Sequence, residues 1–174
     1  MDAKALDKIG YGLYIVSSRM GDKFNGQIVN ALIQTTYKPF TIAVSINREN
    51  FTHQCIETSG IFSVSILSQD TDMKFLGTFG FRDGRETDKF SRCNYRIGTT
   101  MVPIVEDHTL AYLEVKCTDR LELTTHTLFV GEVVEAEVIR EGIPMTYAYY
   151  HEVKGGKTPE RAATYIPGLH GRVQ

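Results

Sequence analysis

Residues 25–50 read NGQIVNALIQTTYKPFTIAVSINREN. The first half alternates as a strand does, placing successive side chains on opposite faces. Yet Asn30, Gln34, Thr35 and Thr36 stand where a strand buried on one face carries larger apolar groups. Two readings fit. If the strand borders a cleft, its N–H groups and short polar side chains let a flat polar heterocycle or a sugar-phosphate chain come close. Alternatively, Thr35 and Thr36 complete a strand end, since β-branched threonine suits strands without any ligand. Lys38-Pro39 breaks the pattern, and the more apolar FTIAVSIN (40–47) follows as a second strand.

Working outward, further strand-like segments are GLYIVSSRM (12–20), IFSVSIL (61–67), HTLAYLEVKCTDRLEL (108–123) and TLFVGEVVEAEVIR (127–140). All are rich in Val, Ile, Thr and aromatics, and GQIVNALIQTT (26–36) reads as one strand among them. Two stretches read as helices. NFTHQCIETSG has Asn50 as N-cap and Gly60 as its stop; DTDMKFLGTFG has Asp70 or Thr71 as cap. Strands outnumber helices and do not alternate with them as βαβ units would, so a mainly β, closed or split antiparallel barrel is expected. The domain is placed at residues 1–151. Residues 152–174, rich in proline and glycine, are expected to form an irregular arm.

A chain of 174 residues with 42% hydrophobic and 23% charged residues suits one globular domain. Its net charge of -2, without a dense Lys/Arg block, argues against a nucleic-acid partner. No apolar run is long enough to span a bilayer. MDAKALDKIG lacks the apolar core of a signal peptide, so a cytoplasmic location is expected. Cys55, Cys93 and Cys117 are odd in number and far apart, fitting neither a disulfide framework nor a zinc site. They read as free thiols, poorly suited to carry electrons.

Three constellations carry chemistry. In SINRENFTH (45–53) a strand runs into a helix whose unpaired N–H groups and positive dipole end suit an anion such as phosphate, although an ordinary capped helix has the same pattern. GTFGFRDGRETDKF (77–90) brings Arg82, Arg85 and Lys89 onto a glycine-rich loop, either to wrap an anion or to pair with Asp83, Glu86 and Asp88. Neither the GxGxxG nor the GxxxxGK[ST] spacing is present. TTHTLFVGEV (124–133) holds a lone His126, without the partners of a hydrolase triad or a metal site.

NALIQTTYKP, AVSINRENFT, IFSVSIL, FGFRDGRETDKF and HTLFVGEV, taken in this order, resemble the flavin reductase family of FMN-binding split barrels. TYAYYHEVKGGKTPERAATY looks closer to flavoredoxins and to the flavin domain of high-molecular-weight rubredoxins. The resemblance implies a Greek-key antiparallel split barrel, FMN as cofactor, NADH or NADPH as hydride donor and a homodimer. It implies that Asn30, Ala31, Leu32, Ile33 and Thr35 line the flavin ring and ribityl chain, and that Ser45, Asn47, Asn50, Phe51 and Thr52 hold ribityl and phosphate. Lys89 would lie at the flavin or its phosphate, and His126 beside the ring where a nicotinamide stacks. Lys38-Pro39 would mark the turn between two strands sharing the cofactor; Phe40 departs from a family proline there. The implied acceptors are a free flavin, a ferric chelate or an iron-sulfur protein such as rubredoxin. Since the chain shows no paired CxxC elements, a rubredoxin is expected to be a separate protein. The alternative is a non-enzymatic FMN electron carrier reduced by a protein partner.

Overall fold

The computed structural model describes residues 1–168. Its strands are β1 (Tyr14–Met20), β2 (Lys23–Val29), β3 (Leu32–Tyr37), β4 (Phe40–Asn47), β5 (Ile61–Leu67), β6 (Tyr95–Ile97), β7 (Pro103–Val105), β8 (Thr109–Glu122) and β9 (His126–Val138). The helices are α1 (Phe51–Ser59), α2 (Met73–Phe81) and α3 (Tyr147–Glu152). Seven strands form one antiparallel sheet in the order β2-β1-β5-β8-β9-β4-β3, and β6 pairs with β7 apart from it.

The order itself dictates closure. Laid flat, seven strands about 4.8 Å apart would hold β2 and β3, the two edges, roughly 29 Å from each other. Only Asn30 and Ala31 lie between them, and such a link reaches about 10 Å when fully extended. The sheet must therefore curl until its edges meet, giving a barrel split along the unpaired β2/β3 seam. The segment 26–36, expected as one strand, is thus two. The Leu32 N–H donates to the Asn30 carbonyl at 3.0 Å, a tight turn that lifts the Asn30 side chain out of the ladder.

Both faces of the early strands are covered, which explains their apolar runs. In β1, Val16 joins the barrel interior with Val44, Phe62, Val64 and Phe129, whereas its neighbour Ile15 joins an outer cluster under Phe75, Leu76 and Phe79 of α2. Each such buried side chain contributes about 1.5–3 kcal/mol. The serines of IFSVSIL have a structural use: the Ser63 and Ser65 hydroxyls donate to the Pro103 and Val105 carbonyls at 2.6 and 3.0 Å, fastening β7 to the barrel wall.

The start of α1 falls at Asn50, as expected, although the Asn50 side chain makes no capping bond; Gly60, at φ 69°, ends the helix. The cap of α2 is Asp72, not Asp70 or Thr71. Asp72 accepts from the Phe75 N–H at 2.7 Å, while Asp70 pairs with Arg140 at 2.9 Å and the Thr71 hydroxyl donates to the Ser68 carbonyl. Helix α3, absent from the sequence reading, is capped by Thr146. Residues 153–168 contain neither helix nor strand, and the last six residues of the expected arm lie outside the described residues. No helix among the described residues is long and apolar enough to cross a membrane.

Candidate functional site

A cleft of about 610 Å³ opens beside the barrel seam. Its walls are β2 through Asn25 and Gln27, the turn residue Asn30, the start of α1 at residues 50–52, the end of α2 with the following loop, and Lys89. Its outer wall is the arm, through residues 157–162 and Tyr165.

The fold places two cations where α1 begins. The Phe51 ring lies under the Lys23 ammonium, 4.8 Å from its centroid, and the Arg85 guanidinium, at 5.4 Å. Arg85 also donates to the Glu49 carbonyl at 3.1 Å and pairs with Asp83 at 3.2 Å. Gly84 lets this loop settle on β2: a Cβ there would sit 1.8 Å from Asn25 Oδ1. Asn25 Nδ2 in turn donates to the fully buried Thr52 hydroxyl at 2.8 Å. With no side-chain cap, the Phe51 and Thr52 N–H groups stay available while that of His53 donates to the Asn50 carbonyl at 3.1 Å, and the helix dipole adds positive potential.

Lys89 deepens that potential. It is 4% exposed, and its ammonium donates to the carbonyls of Gly26 at 2.8 Å and Phe79 at 3.4 Å rather than to a carboxylate. Burial pushes its pKa down to about 8, with Asp83 opposing from a distance. Of the two readings of the basic loop, pairing holds for Arg85 with Asp83, whereas Lys89 is a buried cation facing a cleft. A site with a buried cation, an uncapped helix start and a polar amide suits a ligand with an anionic end and a flat polar body.

Asn30, Asn50, Phe51, Thr52 and Lys89 meet at this cleft. Ala31, Leu32, Ile33, Thr35, Ser45 and Asn47 do not line it but lie on the seam and along β3 and β4; the Ser45 N–H donates to the Ala31 carbonyl at 3.0 Å. The Thr35 and Thr36 hydroxyls both bond Thr41 across the hairpin, at 2.5 and 2.6 Å, and Lys38-Pro39 forms its turn. His126 opens β9 opposite Asn47 and bonds Thr125 through Nδ1 at 2.8 Å. Burial lowers its pKa, with the Arg161 backbone opposing, so the arm reaches this histidine too. The sequence reading missed Asn25, Gln27 and the whole arm wall; the tyrosine-rich TYAYY after a capping threonine was the available signal for α3.

The three thiols are held protonated by burial, Cys55 and Cys117 pushed up to about 11 and Cys93 to about 12. No group of His, Cys, Asp and Glu suited to a metal ion occurs among the described residues.

Residues 6–156 match the flavin reductase like domain. The chain is 47% identical over 97% of its length to high molecular weight rubredoxin of Moorella thermoacetica, covering 73% of that protein. It is 48% identical over 95% of its length to ferric-chelate reductase (NAD(P)H) of Archaeoglobus fulgidus, covering 98% of it. Among solved structures, an FMN-binding protein from Thermus thermophilus with bound 1-cyclohex-2-enone superposes with a TM-score of 0.69 at 26% identity, over 75% of this chain and 72% of that one.

Proposed function

The chain belongs to the flavin reductase-like family of oxidoreductases, and from this we propose that its cleft binds one FMN per subunit and that the protein moves electrons from NADH or NADPH to an acceptor. The observation that carries this reading is Lys89, a buried cation without a carboxylate partner among the described residues, in the same cleft as the uncapped start of α1. The N–H groups of α1, Thr52 and Lys89 hold the phosphate, and Asn30 hydrogen-bonds the polar body. FMN, when bound, supplies a ring that accepts hydride and gives up electrons singly or in pairs. The chain then needs no nucleophile or acid–base pair of its own. It binds, orients and shields: Phe79 and Tyr165 exclude water, and His126, beside the arm, shapes the approach of the nicotinamide.

The names of the relatives support a nicotinamide donor and a ferric or rubredoxin-type acceptor. The rubredoxin relative also favours a second reading, an FMN carrier reduced by a protein partner. Anaerobic addition of NADH or NADPH to the FMN-loaded protein separates them. Bleaching of the oxidised flavin within seconds is expected of the reductase, and an unbleached flavin that a reduced protein partner still reduces would leave only the carrier.

A further inference from the structure

A hydrogen-bond chain runs from the arm into the cleft. Asn30 Nδ2 donates to Thr164 Oγ1 at 2.7 Å, and that hydroxyl donates to the Tyr147 hydroxyl at 3.2 Å. Tyr147 bonds Thr158 Oγ1, which meets His151 Nε2 at 3.2 Å, and His151 Nδ1 lies 2.8 Å from the Gly156 carbonyl. A carbonyl only accepts, so Nδ1 carries a ring proton. From the cleft outward the order runs one way, the Asn30 amide donating to Thr164 and the Thr164 hydroxyl to Tyr147, which leaves the Tyr147 proton for Thr158. With one Nδ2 hydrogen held by the arm, the orientation of the amide is set, and Oδ1 of Asn30 is its acceptor for the cleft. Asn30 is 5% exposed, lines the cleft, and its Oδ1 accepts from none of the described residues.

We propose that the relay His151–Thr158–Tyr147–Thr164 is a positioning device that fixes the Asn30 amide so that the cleft presents a carbonyl acceptor to an N–H or O–H of the bound ligand. This rests on the flavin reading. The donor is then either the ring imide N–H or a ribityl hydroxyl, and Thr164 acts on affinity without touching the ligand.

Thr164→Val keeps the shape and removes the hydroxyl; Thr164→Ser keeps the hydroxyl. Both are titrated with FMN and with lumiflavin, which lacks the ribityl chain, after melting curves confirm the fold. Thr164→Val is expected to weaken binding roughly three- to tenfold, the worth of one neutral hydrogen bond, while Thr164→Ser stays within about twofold. Loss toward both ligands assigns the donor to the ring, and loss toward FMN alone assigns it to a ribityl hydroxyl. Wild-type affinity in Thr164→Val, or equal loss in the valine and serine variants, overturns the relay. If Thr164→Val fails to fold, Thr158→Val breaks the chain two steps further on and is read in the same way. If the wild-type protein takes up neither ligand, the flavin reading fails instead, and the relay is read by ¹⁵N NMR. A slowly exchanging Asn30 side-chain amide that becomes solvent-like in Thr164→Val supports it, and an amide unchanged by the substitution overturns it.

Discussion

Lys89 is the residue on which the phosphate assignment turns. A lysine 4% exposed and bonded to two carbonyls keeps its charge at a cost, and burial brings its pKa down to about 8. Below that pH the ammonium is present to meet a phosphate; above it the amine is neutral and the attraction is lost. FMN affinity is therefore expected to fall as pH rises through 8, approaching about tenfold per pH unit until the pKa of the bound state is reached. Lys89→Met should flatten that slope, and a slope retained in the variant would place the titrating group elsewhere. Thr52→Ala and Lys89→Met should each weaken FMN binding by about 1–3 kcal/mol, read by fluorescence titration with the fold checked by circular dichroism. His126→Ala addresses a different step. It should slow reduction by NADH or NADPH in stopped flow while leaving FMN affinity close to wild type; a normal rate together with a lower melting temperature would make the histidine structural.

At the scale of elements, boundaries were legible wherever local pattern and burial agree. Residues 40–47 and 61–67 are β4 and β5 because apolar runs covered on both faces end at turns. The run 26–36 misled because its alternation continues through Asn30, where only the bond from Leu32 N–H to the Asn30 carbonyl reveals the kink. The choice among Asp70, Thr71 and Asp72 as cap is settled by Arg140, seventy residues away in sequence from Asp70. At three residues each, β6 and β7 are too short to carry a period, and serine hydroxyls of β5 hold β7 from outside. In the site, Asn30, Lys89 and the start of α1 were readable from motif. The arm wall was not, since the Thr164 to Asn30 contact spans 134 positions. β8 carries a further testable feature, the fully buried Glu114 carboxylate. Burial alone would raise its pKa, but N–H and hydroxyl donors of Thr99 and Thr100 together bring it below the ordinary carboxylate value. Its contribution to stability is present above the ordinary glutamate pKa and is lost as pH falls through the lowered folded value. Glu114→Gln, which turns an amide toward these donors, should cost about 2–3 kcal/mol at neutral pH and reduce the acid dependence of the denaturation midpoint; an unchanged midpoint would deny the carboxylate that role.

At the scale of the whole molecule, the barrel leaves one edge uncovered. On β3 and the hairpin that follows, Ile33, Tyr37 and Phe40 are 62%, 77% and 60% exposed. An open apolar edge strand of this kind is what a second copy would cover. We expect a dimer of about twice 19.6 kDa by light scattering, with Tyr37→Glu shifting it toward monomer; a wild-type monomer at micromolar concentration would contradict this. All scales converge on one cleft, where β2, the turn at Asn30, α1, the loop to Lys89 and the arm surround a space of about 610 Å³. The central claim is that this cleft holds FMN by its phosphate. Parallel titration of the purified protein with FMN and riboflavin measures it most directly. One FMN per subunit, bound at least about tenfold more tightly than riboflavin, is the expected result; equal affinity for the two, or no uptake of either, would contradict it.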